Sequence, residues 1–155
     1  MELASLHDWL AFLHVLAAMV WIGGLVALNV LGTYAVRRDE PDGIARFVGG
    51  LRVVGPIVLG PSSVVVLGVG IWLVLDSAAA DFAETWIWLG LALLAAAVLV
   101  GLLFLSRAGR AAELAVEAGD HAGAKRQLTR WSWGIRLIVL LLVIATWDMV
   151  FKPGA

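Results

Sequence analysis

Four long apolar runs alternate with short polar stretches along the chain. The first covers about residues 9–36, and its only strongly polar interruptions are His14 and Asn29. It exceeds the roughly 20 residues that a helix needs to cross about 30 Å of hydrocarbon. Further runs over about residues 53–75, 86–106 and 133–151 predict three more spans. Arg37-Arg38-Asp39-Glu40-Pro41-Asp42-Gly43 reads as a loop, since Pro41 and Gly43 forbid simple continuation of the helix. An interfacial segment carrying Arg46 and Arg52 follows it. Residues 76–84 form an acidic loop in which Asp81 and Glu84 have the spacing of a helix N-cap and its N3 partner. Residues 107–130 read as an alanine-rich helical linker, broken near Gly119 and Gly123, with His121 on its surface. The expected fold is all-α, an integral membrane four-helix bundle formed by residues 1–155 as one domain.

Gly55-Pro56 and Gly60-Pro61-Ser62-Ser63 interrupt the second span near its start. Each proline removes a helix hydrogen bond and tends to kink the helix. A membrane tolerates this only where serines, neighbouring helices or water satisfy the freed carbonyls. Ser62 and Ser63 are therefore expected to repair the backbone, and the helix to bend there.

Composition strengthens the membrane assignment. Of 155 residues, 62% are hydrophobic, against roughly half in soluble domains. A net charge of −1 gives no reason to expect a nucleic-acid partner, and the absence of cysteine excludes disulfides, thiolate metal sites and iron–sulfur clusters. The N-terminus lacks the basic region and small-residue cleavage site of a signal peptide, so the first run is expected to stay in the mature protein. Arg37, Arg38, Arg46, Arg52, Arg107, Arg110, Lys125, Arg126 and Arg130 all follow the first or third span, and the acidic loop has no basic residue. By the positive-inside rule both basic loops are cytoplasmic and both termini outside. No phosphate loop, His-Glu-x-x-His pair or serine nucleophile motif is present.

Candidate chemistry centres on His14, because an ionisable group within hydrocarbon is unusual. His7, His14, Trp21 and Leu28 recur at heptad spacing and share one helix face. His14 either donates to a neighbouring helix or binds a metal or haem iron. In the second case Trp21, Gly23 and Gly24 shape the pocket. Arg52 and Arg136 then either meet haem propionates or anchor helices at the headgroups. No other histidine lies in a span, so a matching imidazole would come from a second copy in a homodimer. Asp148 is enclosed in the fourth apolar run. It either pairs with Lys152, one turn on, or joins His7, His14 and Met149 as a copper-binding set.

His14, six intervening residues and then Trp21-Ile22-Gly23-Gly24-Leu25 resembles the first-helix signature shared by HemJ-type protoporphyrinogen oxidases and CopD-like copper resistance membrane proteins. Tyr34 falls where HemJ-type proteins have a tyrosine, while Asn29 replaces their proline. Over most of its length the chain resembles the DUF2269 group of bacterial four-span proteins. That resemblance runs through His14 to Leu25, the proline-rich second span and the ending Met149-Val150-Phe151-Lys152-Pro153. It implies a bacterial inner-membrane location. The HemJ-type likeness implies b-type haem held by His14, and a redox or haem-handling role with a membrane electron-transfer partner. The third span reads Trp86-Ile87-Trp88-Leu89-Gly90, without the histidine and lysine of that family, so the likeness extends to haem binding rather than to the oxidase reaction. The CopD-like resemblance implies copper handling at the outer face. A structural membrane module without cofactor is the third alternative.

Overall fold

A computed structural model describes residues 5–76 and 84–152. The described residues form four helices, each long and apolar enough to cross a membrane: α1 (Leu6–Arg38), α2 (Pro41–Asp76), α3 (Thr85–Glu117) and α4 (His121–Phe151). The chain is an all-α membrane bundle, as its hydropathy pattern requires. Asp81, half of the expected capping pair, lies outside the described residues.

The helices are longer than the apolar runs. α1 begins at a capping box, with the Ser5 N–H donating to the Asp8 carboxylate at 2.8 Å and the Asp8 N–H donating to Ser5 Oγ at 3.2 Å. It ends at Asp39, which adopts the left-handed conformation with φ 57°. The expected loop over Arg37 to Gly43 therefore shrinks to Asp39 and Glu40. Pro41 starts the next helix instead of ending the previous one, because a first-turn residue has no N–H bond to lose. Arg46 and Arg52 lie within α2. Between α3 and α4 the break falls at Ala118 to Asp120, where Gly119 takes φ 70°. Gly123 does not break the helix; its N–H donates to the Asp120 carboxylate at 2.8 Å, capping α4. At 1.5 Å per residue, helices of 31–36 residues run roughly 46–54 Å, so their polar ends project beyond the hydrocarbon.

α2 packs on α1, α1 on α4, and α4 on α3, whereas the apolar part of α2 meets α3 only sparsely. The core follows these three seams, with Trp21 and Leu25 from α1, Leu94 and Ala97 from α3, and Ile135, Ile138 and Leu142 from α4. Lipid supplies little hydrophobic drive between helices, so close packing must hold them together. Gly134 illustrates this: a Cβ there would lie 2.5 Å from Leu105 Cδ1 and 2.7 Å from Phe104 Cδ1.

Each of the sparsely joined helices contains a π turn, Gly55–Leu59 in α2 and Val100–Leu105 in α3. They close by five-residue bonds, Gly60 N–H to the Gly55 carbonyl and Ser106 N–H to the Gly101 carbonyl. Pro56 has no N–H and its ring would collide with the preceding turn, and a widened turn accommodates both problems. Ser63 Oγ donates to the Gly60 carbonyl at 2.7 Å, and Ser106 Oγ to that of Leu102.

The two polar connections are clasped together. Asp39 accepts from Lys125 Nζ at 2.7 Å and pairs with His121 Nε2 at 3.0 Å. Hydrogen bonds from Lys125 and then His121 hold the Asp39 carboxyl below the usual carboxylate range. His121 is thus anchored at the surface. At the opposite end, His7 Nδ1 lies 3.2 Å from Asp76 Oδ2, and Lys152 Nζ lies 5.0 Å from the Trp86 ring centre.

Candidate functional site: an apolar cleft with a basic mouth

The heptad stripe of α1 faces α2. His7 meets Asp76, and His14 lies against Gly70 and beside the backbone of Val66. A Cβ on Gly70 would sit 3.0 Å from His14 Cε1 and 3.4 Å from its Nδ1, so the glycine makes room for the imidazole itself. His14 Nδ1 is buried with no hydrogen-bond partner. Two turns on, Trp21 is only 4% exposed. Gly23 faces open space, while the backbone of Gly24 lies under the Leu59 side chain.

Asp148 and Met149 belong to another seam. Both face Gly90 of α3, where a Cβ would lie 3.2 Å from Asp148 Oδ2 and 3.3 Å from Met149 Cε. Asp148 is fully buried and neither carboxylate oxygen has a partner. Lys152, one of its two expected partners, lies over Trp86 instead. The proposed copper set is thus divided, with His7 and His14 turned to α2 and Asp148 and Met149 to α3. Among the described residues, no three His, Cys, Asp or Glu side chains cluster in a way that would hold a metal. Arg136 is exposed and stacks over Trp133 at 4.7 Å.

Where α2 and α3 part, a cavity of about 630 Å³ opens, within the usual range for small-molecule sites. Leu25, Leu59, Val98, Leu102 and Ile138 line its apolar depth, Trp21 and Trp131 contribute flat faces, and both π turns border it. π turns occur frequently at functional sites. The mouth is charged, with Arg52 on α2 and Arg107, Arg110 and Glu113 on α3. Arg52 Nη1 bridges the gap to Glu113 Oε1 at 2.7 Å.

Of the expected haem-pocket residues, Trp21 and Arg52 line this cleft, and His14, Gly23, Gly24 and Arg136 do not. Among the described residues, the lining has no imidazole, thioether, thiolate or phenol to bind iron axially. His14 Nδ1 lies under α2, so a porphyrin at that atom would require α2 to leave α1. Sequence reasoning singled out Arg107 and Arg110 only as topology signals, and it missed the cleft. The Gly55-Pro56 pair was its one local sign.

No curated protein and no solved structure matches the chain. A family model described as predicted integral membrane protein, DUF2269, matches residues 8–153. A match over nearly the whole length, on a chain that folds into four membrane helices, places the protein in the DUF2269 family of integral membrane proteins.

Proposed function

We propose that the protein binds an amphiphilic molecule drawn from the bilayer, with its apolar part between α2 and α3 and its head at the basic mouth. One observation carries this: the cleft is lined mainly by carbon in its depth and by three guanidiniums at one end. By the positive-inside rule that end faces the cytoplasm of a bacterial inner membrane. The proposed role is to hold or hand on a membrane lipid.

The test is the lipid retained by the purified protein after extensive washing in detergent. Gly101 borders the cleft, and the nearest atom to a Cβ there is 4.0 Å away, so Gly101→Leu fills the space without an immediate clash. Wild-type protein is expected to keep about one amphiphile per chain, and Gly101→Leu and Gly109→Leu to lose it while keeping their helical circular dichroism. Equal retention in all three proteins would refute the proposal.

The alternative is a haem or copper centre at His14, favoured by the unpartnered Nδ1. Ligation through Nδ1 requires α1 and α2 to separate, and two imidazoles on one iron require a homodimer. Oxidised and reduced absorption spectra with metal analysis on the same sample distinguish it. A Soret band lost in His14→Ala supports haem, and copper without haem supports a copper centre. A colourless, metal-free protein from haem-sufficient cells contradicts both.

A further inference from the structure

Resting on the cleft as an amphiphile site, we infer that its occupant is an anionic phospholipid whose phosphate is held by Arg107 and Arg110, and that Glu113 occupies Arg52 until the head group arrives. Arg107 and Arg110 are three residues apart, hence neighbours on one face of α3. Both are exposed, and neither has a carboxylate partner among the described residues. Arg52 approaches from α2 but is already bound, 2.7 Å from Glu113, whose side chain is 25% exposed against 68% for Arg52. Three guanidiniums and one carboxylate leave an excess of positive charge at the mouth.

A guanidinium fork matches phosphate oxygens in pairs, which makes arginine the preferred partner of that group. Basic pockets between membrane helices are where anionic lipid heads bind. The apolar part of the cleft selects a lipid over free phosphate. From Glu113 to Ala97 the lining runs roughly 24 Å along α3, a length that suits an extended acyl chain. Glu113 repels a phosphate while holding Arg52, so the bridge competes with the head group for Arg52. A phosphate that takes Arg52 from Glu113 opens the bridge between α2 and α3 as it binds.

Native mass spectrometry of the full chain tests this by titration with dioleoyl phosphatidylglycerol and, separately, dioleoyl phosphatidylcholine. Phosphatidylglycerol is expected to bind roughly tenfold more tightly, and the double variant R107Q/R110Q to bring the ratio near one. E113Q is expected to strengthen phosphatidylglycerol binding several-fold, because Arg52 is freed and a repulsive charge is gone. Selectivity that survives R107Q/R110Q, or weaker binding in E113Q, would overturn the inference, as would displacement of the lipid by inorganic phosphate. Equal binding of both lipids, blocked by Gly101→Leu, would overturn the head-group assignment and leave the cleft standing. Binding unaffected by Gly101→Leu would overturn both.

Discussion

Gly70→Ala tests the contact that fixes His14. The new Cβ would lie 3.0 Å from His14 Cε1 and 3.4 Å from Nδ1, whereas carbon atoms in contact prefer about 3.5–4.0 Å. The ring must shift by about half an ångström or the two helices must separate, and overpacking of this kind costs about 1–3 kcal/mol. Alanine returns up to about 1 kcal/mol through its better helix propensity. A net loss of about 0–2 kcal/mol follows for the single variant. With His14→Ala in place the obstacle is gone, and Gly70→Ala should stabilise by up to about 1 kcal/mol. The double-mutant cycle should therefore show a coupling of about 1–3 kcal/mol, above the roughly 0.3–0.5 kcal/mol by which independent sites depart from additivity. Reversible unfolding in mixed micelles, followed by circular dichroism, measures all four proteins. Coupling within the additive range would show that the imidazole does not rest on Gly70, and would return its Nδ1 to the pool of available ligands.

Three further substitutions probe other seams. Gly134→Ala puts a Cβ 2.5 Å from Leu105 Cδ1 and 2.7 Å from Phe104 Cδ1, and should cost about 0–2 kcal/mol in the same unfolding assay after the helix-propensity return; a raised midpoint would contradict the close α3–α4 approach. Asp148→Ala removes two buried acceptors that have no donor, a burden of about 1–3 kcal/mol, and should raise the midpoint. A marked fall would mean that the carboxylate has a donor. Asp39→Asn should flatten the acid limb of stability against pH. The folded-state value of Asp39 lies below the ordinary 3.8, so its contribution is full above that pH and is lost as pH falls through the lower folded value. An identical acid limb in the variant would contradict the clasp with Lys125 and His121.

The four helices were legible because the cost of unpaired backbone in hydrocarbon forces long apolar runs to be helical. Their ends were less legible. Pro41 acts as a helix start rather than a stop, a distinction that depends on which residue precedes it in the left-handed conformation. The heptad stripe correctly put His7 and His14 on one face, and both meet α2. Their partners, Asp76 and Gly70, are set by the register of α1 against α2, which periodicity within one helix does not encode. The cleft was illegible for a related reason. It arises where α2 and α3 fail to pack, and the π turn over Val100–Leu105 has no proline to announce it. Arg107 and Arg110 were visible as charges, but their place at a cavity mouth depends on which helices are neighbours.

The most direct test is a crystal structure grown in a lipid phase containing phosphatidylglycerol with brominated acyl chains. Bromine anomalous peaks are expected between α2 and α3, near Leu102 and Leu59, with phosphate density at Arg107 and Arg110. Apolar segments of α2 and α3 packed directly together, with bromine only on the outer surface of the bundle, would contradict the account.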